Sequence, residues 1–187
     1  RMTSSGELGF ELFVPSDTAA SLFEAIVAAG APFGLGFVGL ATLDSLRMEK
    51  ANRDYTHDVD NSETPLEVGL KFTCAFDTEF RGRDALAPIA DAIPTRRLVQ
   101  VALDDPSPLL RGGEPLRRDG KPVGYVRTAA YGHTLGRAVG LAMIEVDEPV
   151  SKSWIEAGEF TTLAFVEQRA VPVATTTVGT GDTTLTT

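Results

Sequence analysis

Three parts of this sequence carry groups suited to recognising a polar ligand: a carboxylate in an apolar alternation, an arginine in a helical stretch, and the polar loop after it. Glu11 lies between Phe10 and Leu12 in residues 7–14, an alternation that reads as a half-buried strand, so one strand face carries it outward. A carboxylate holding a buried polar ligand accepts paired N–H donors through charge-assisted hydrogen bonds; the same residue also fits a solvated strand carboxylate. Arg47 presents a planar fork suited to an anionic group, and Asp44 or Glu49 is within reach as a structural ion-pair partner. Arg47, Glu49, Lys50, Arg53, Asp54, Tyr55, His57, Asp58 and Asp60 crowd the stretch where the chain leaves that helix, and loops on rigid elements often carry function.

Other chemistry is poorly supported. His57 and His133 are the two histidines, and their spacing matches no short zinc pattern, so no metal is expected. Tyr131 with His133 forms no self-sufficient catalytic set, and His57 and Asp58 are expected in a solvated loop with no proton-transfer role. The run Gly34-Leu-Gly36-Phe-Val-Gly39 lacks the preceding strand that a dinucleotide site needs and reads as a tight loop feeding a helix. Cys74 sits in an apolar run with no neighbour to lower its pKa and reads as a core residue.

The elements around these residues form two blocks. Ser16 is placed to cap a helix that runs through Leu22, Phe23, Ile26 and Val27 to Gly30. Leu40, Leu43 and Leu46 mark a second helix across residues 39–51, residues 66–76 suggest a strand or buried segment, and residues 82–92 a short helix bent by Pro88. From Arg96 the pattern changes to short strands at 98–103, 115–118, 122–127, 138–146, 159–166 and 170–174, as in a small barrel or sandwich. Asp119-Gly120 supplies the hairpin turn between the second and third of them. Residues 175–187 are Thr/Gly-rich and expected to be a disordered tail.

The 43% hydrophobic share fits a folded domain, and a formal net charge of −9 argues against a nucleic-acid partner. No apolar run approaches the roughly 20 residues needed to cross a bilayer and no secretory leader is visible, so a cytoplasmic protein is expected. The sequence opens at Arg1 on the approach to a strand and reads as a fragment.

Several stretches carry a family resemblance. The opening RMTSSGELGFE, residues 39–70 (GLATLDSLRMEKANRDYTHDVDNSETPLEVGL), FRGRDAL at 80–86 and AAYGHTLGR within 113–140 resemble the glycine-cleavage T-protein (aminomethyltransferase) family, closest to the version fused behind FAD-dependent dimethylglycine and sarcosine dehydrogenases. The resemblance implies an α+β fold: the strand-helix (ferredoxin-like) second half of a folate-binding domain over residues 1–93, then a C-terminal β-barrel over 94–174. It implies tetrahydrofolate as ligand, with Glu11 holding the pterin and Arg47 and Tyr55 nearby, Arg47 suited to the anionic glutamate tail. Ser4 stands where the family signature has a tyrosine. The family's catalytic aspartate falls before Arg1, so no catalytic residue is assigned. FAD would belong to a missing upstream domain, the partners being a small methylated amine and the missing N-terminal half, with self-association of the fragment expected. The leading reading is a module that captures a one-carbon unit from an oxidised N-methylamine. The alternatives are a free-standing tetrahydrofolate-dependent aminomethyltransferase or demethylase, and a non-catalytic folate-sensing or interaction module.

Overall fold

The computed structural model describes residues 3–164 and 166–172. Six antiparallel strands, β1 Arg96–Leu103, β2 Pro115–Arg118, β3 Lys121–Gly132, β4 Arg137–Glu145, β5 Phe160–Ala164 and β6 Val166–Pro172, close into a barrel in the order β1-β4-β3-β2-β5-β6. The hairpin turn lies at Asp119-Gly120, both with positive φ (51° and 77°), as the dipeptide requires. The expected strand at 170–174 is seen as β6 up to Pro172, and the expected tail lies outside the described residues.

Alternation sorts the barrel's side chains into two cores. Val99, Val101 and Leu103 of β1 pack inside with Leu116, Val126, Ile144 and Phe160, while Leu98 and Ala102 on its other face join Val139, Leu141 and Met143 in a second cluster. That outer face is covered by helix α2, Leu40–Glu49, through Met48, by Ala51 just beyond it and by Val68 of the later loop. Gln100 Nε2 donates to the Met48 and Glu49 carbonyls at 2.6 and 3.3 Å, and Ser45 Oγ to the Tyr131 carbonyl at 2.6 Å. Both ties satisfy polar groups while fixing α2 on the sheet.

The N-terminal part is looser. Helix α1, Ala19–Gly30, starts later than Ser16 suggests: residues 15–18 form a turn in which Thr18 N–H and its hydroxyl both donate to the Pro15 carbonyl. Residues 7–14 form no strand, with a bend at Glu7 and Leu8 and no regular structure after it, because no ladder partner lies beside them among the described residues. Residues 66–76 also form no strand. The Leu70 N–H closes onto the Pro65 carbonyl, Gly69 takes a positive φ, and a 3₁₀ turn follows at Lys71–Thr73, leaving Cys74 half-buried at its end rather than in a core. The short helix α3, Arg83–Leu86, passes into a 3₁₀ turn at Pro88, as expected. Helix α4, Lys152–Glu156, packs Trp154 edge-on to Phe160 at 6.1 Å.

Candidate functional site

The polar stretch after α2 is organised by buried charge. Arg47 is 6% exposed; its Nε donates to Asp44 Oδ1 at 2.8 Å and its Nη1 to Asp58 Oδ2 at 2.6 Å and the Asn52 carbonyl at 3.2 Å. Burial alone would lower its pKa, yet the paired carboxylates raise it, so the guanidinium stays charged. Asp44 is therefore its structural partner and Glu49 is not: Glu49 Oε1 instead accepts the Thr134 N–H at 2.6 Å.

Asp58 corrects the expectation of a solvated loop. It is fully buried and accepts hydrogen bonds from Arg47, the Asp54 N–H at 2.7 Å and the Thr128 hydroxyl. Thr128 arrives there because β3 skips one residue of register between Val126 and Thr128. The same bulge aims Arg127 at Glu63, whose Oε1 also accepts from Arg96, both at 2.7 Å. Burial pushes the Glu63 carboxyl up, but hydrogen bonds from Asp60 N–H and Ser62 and the charge of Arg127 outweigh it and hold it below the usual range. Arg53, lowered by burial against the opposing charge of Asp58, caps the Val68 and Ala51 carbonyls.

The loop pinned by Asp58 turns its remaining groups outward. Tyr55, 62% exposed, bridges to Val59; Thr56 between them has φ 82°, a left-handed conformation costly for a β-branched residue and often kept at ligand sites. His57 is exposed as expected, with Nδ1 2.8 Å from Asp54 Oδ2. Glu11 lies exposed on the irregular segment 7–14. Tyr131 and His133 meet edge-on at 5.2 Å. Gly34 ends a 3₁₀ turn, and residues 35–39 run without strand into α2, a loop feeding a helix.

Sequence reasoning missed Asn52, Asp58, Glu63, Arg127 and Thr128 as a connected set. Nothing in their spacing signals it: Thr128 and Asp58 are 70 positions apart, and the bulge that joins them leaves no mark in the alternation. A cavity of about 250 Å³ beside the β2–β3 turn is lined by Arg118, Lys121, Val123 and Trp154, but Arg118 already stacks on Trp154 at 4.1 Å and the indole N–H donates to Glu148.

Residues 1–78 match the GCVT N-terminal domain and residues 96–180 the glycine cleavage T-protein C-terminal barrel domain, and the chain belongs to this glycine cleavage T-protein family. It is 42% identical over 153 residues to 4-methylaminobutanoate oxidase (formaldehyde-forming) of Paenarthrobacter nicotinovorans, covering 81% of this chain and 19% of that protein. Mitochondrial sarcosine dehydrogenase of Mus musculus is 36% identical over 86% of the chain and 18% of its own length. An aminomethyltransferase of Symbiobacterium thermophilum is 38% identical over 76% of the chain and 38% of its own length. The crystal structure of glycine cleavage system aminomethyltransferase T from Bartonella henselae shares the fold, with a TM-score of 0.73 at 23% identity over 88% of this chain and 44% of that one. The chain thus spans about a fifth of the oxidase and dehydrogenase and under two fifths of the aminomethyltransferase. Among the described residues no helix is long and apolar enough to cross a membrane.

Proposed function

We propose that this chain is a tetrahydrofolate-binding module that accepts a one-carbon unit released by oxidation of an N-methylamine. The observation that supports it is that the segment bearing Glu11 and the loop bearing exposed Tyr55 are both tied to the end of α2, through Asn52 and Arg47. The likeness to a formaldehyde-forming oxidase supplies the one-carbon donor. Glu11 would accept two N–H bonds from the pterin edge and Tyr55 would offer a ring face. Arg47, committed to Asp44 and Asp58, would support the site from behind rather than reach the glutamate tail. Formaldehyde plus tetrahydrofolate gives 5,10-methylenetetrahydrofolate and water, the two folate nitrogens each losing a proton. Holding the acceptor near the source raises its effective concentration.

The open, strandless Gly34–Gly36–Gly39 loop does not fit a flavin dinucleotide, and we assign FAD to another part of a longer polypeptide. That part would also cover the apolar residues exposed on segment 8–40. The free-standing aminomethyltransferase reading is favoured by the larger share of length matched in the aminomethyltransferases, and flavin absorbance of the intact gene product separates the two. The interaction-module reading is favoured by Ser4 and by the exposed apolar face.

The test is anaerobic calorimetric titration with 5-formyltetrahydrofolate. Saturable binding near the micromolar range, weakened about ten- to a hundredfold by Glu11→Gln, is expected from the loss of a charged acceptor. No binding would leave the family fold as an interaction module.

A further inference from the structure

We propose that Asn52 is the positioning residue of the ligand face, holding the segment that bears Glu11 in register with the loop that bears Tyr55. The proposal rests on the folate reading and adds a residue that the resemblance does not assign. The side chain of Asn52 faces one way: its Nδ2 donates to the Ser4 carbonyl at 3.1 Å and to the Thr3 carbonyl at 3.4 Å. Its backbone faces the other. The Asn52 N–H donates to the Arg47 carbonyl at 3.0 Å, and the Asn52 carbonyl accepts from Arg47 Nη1 at 3.2 Å. That same Nη1 donates to Asp58, which holds the Asp54 N–H and so the start of the Tyr55 loop. An unbroken series of hydrogen bonds therefore runs from the backbone upstream of Glu11 to the loop of Tyr55, with Asn52 at its centre.

Packing at the same point supports the assignment. Gly6 turns with φ +75°, and a Cβ there would lie 2.6 Å from Lys50 Cγ and 3.1 Å from Asn52 Nδ2, so the turn sits directly on the end of α2. The neighbouring Lys50–Glu7 ion pair is 3.7 Å long with both side chains about half exposed, a weak tether in water. Among the described residues segment 7–14 joins no ladder, and the amide of Asn52 is a directional contact between the turn that precedes this segment and the end of α2.

The test is a double-mutant cycle in the full chain, titrating 5-formyltetrahydrofolate into the parent, Asn52→Asp, Glu11→Gln and the double variant. Asn52→Asp keeps the shape but has no N–H to donate. It is expected to weaken binding about tenfold, the worth of one or two hydrogen bonds. Glu11→Gln is then expected to cost much less in that background than in the parent. Two further readings separate positioning from loss of fold: the unfolding midpoint followed by Trp154 on the barrel should not move, and exchange of the Gly6 amide should speed up. Parent affinity in Asn52→Asp, or strictly additive losses, would overturn the proposal while leaving the folate reading standing. Failure of the parent itself to bind would remove the folate reading and this role of Asn52 together.

Discussion

Helices α1 and α2 are neighbours in sequence with opposite fates. Helix α1, the more apolar of the two, buries none of its residues and leaves Phe23 56% exposed against Phe37. Helix α2 buries Ser45, Arg47 and Met48, two of them polar. Apolar content sets what a helix would gain from a partner, and the partner decides whether the gain is realised. The outer face of β1 and β4 supplies that partner for α2, and Gln100, Ser45 and Glu49 then fix its position by hydrogen bonds.

The largest effect should come from breaking α2's buried charges. Asp58→Asn leaves Arg47 buried with Asp44 as its remaining carboxylate and is expected to cost about 3–5 kcal/mol in chemical denaturation. Asp44→Asn, which breaks the second, half-exposed ion pair of Arg47, should cost about 1 kcal/mol or less. Equal losses would mean that the network does not hold α2 and the loop as a unit.

A smaller, pH-dependent effect should separate the barrel-anchored loop from the rest. Because the folded protein holds the Glu63 carboxyl below its ordinary value, its contribution is fully present above the ordinary carboxylate range. It is lost as pH falls through the lower, folded value. The parent should therefore lose stability steeply below about pH 4, and Glu63→Gln, less stable at neutral pH, should show a shallower acid decline. Thermal midpoints from pH 7 to 3 would check this, and parallel acid declines would remove Glu63 from the account.

Much of the barrel was legible from sequence because its signals are local: Asp119-Gly120 demands a turn, and alternation from Arg96 onward marks strands, of which β2, β3 and β4 pair in consecutive order, whereas the pairings of β1 with β4 and β6 leave no local signal. Helix α2 was legible from its leucine spacing. The site was legible at Tyr55 as a loop residue, but the burial of Asp58 was not, since it depends on a bulge in β3 and on Arg47 arriving from another element. Residues 7–14 failed in the opposite direction. Their alternation is that of a strand, yet alternation states only which face is apolar and cannot supply the neighbour.

The smallest effect on stability, and the sharpest test of the comparison, lies on the exposed apolar face. Phe13, Phe33 and Phe10 are 90%, 89% and 79% exposed, so changing each to Ser should alter unfolding free energy by about 0.5 kcal/mol or less. The same changes should reduce concentration-dependent self-association, read by light scattering after size exclusion, since an apolar patch of this kind tends to find a partner. Were α1 and its flanks sealed within the chain in solution, each substitution would instead behave as a core truncation costing about 3–5 kcal/mol. In a longer polypeptide that covers this face the loss should approach that larger figure. The difference between the two contexts measures the burial that α2 already has and α1 lacks.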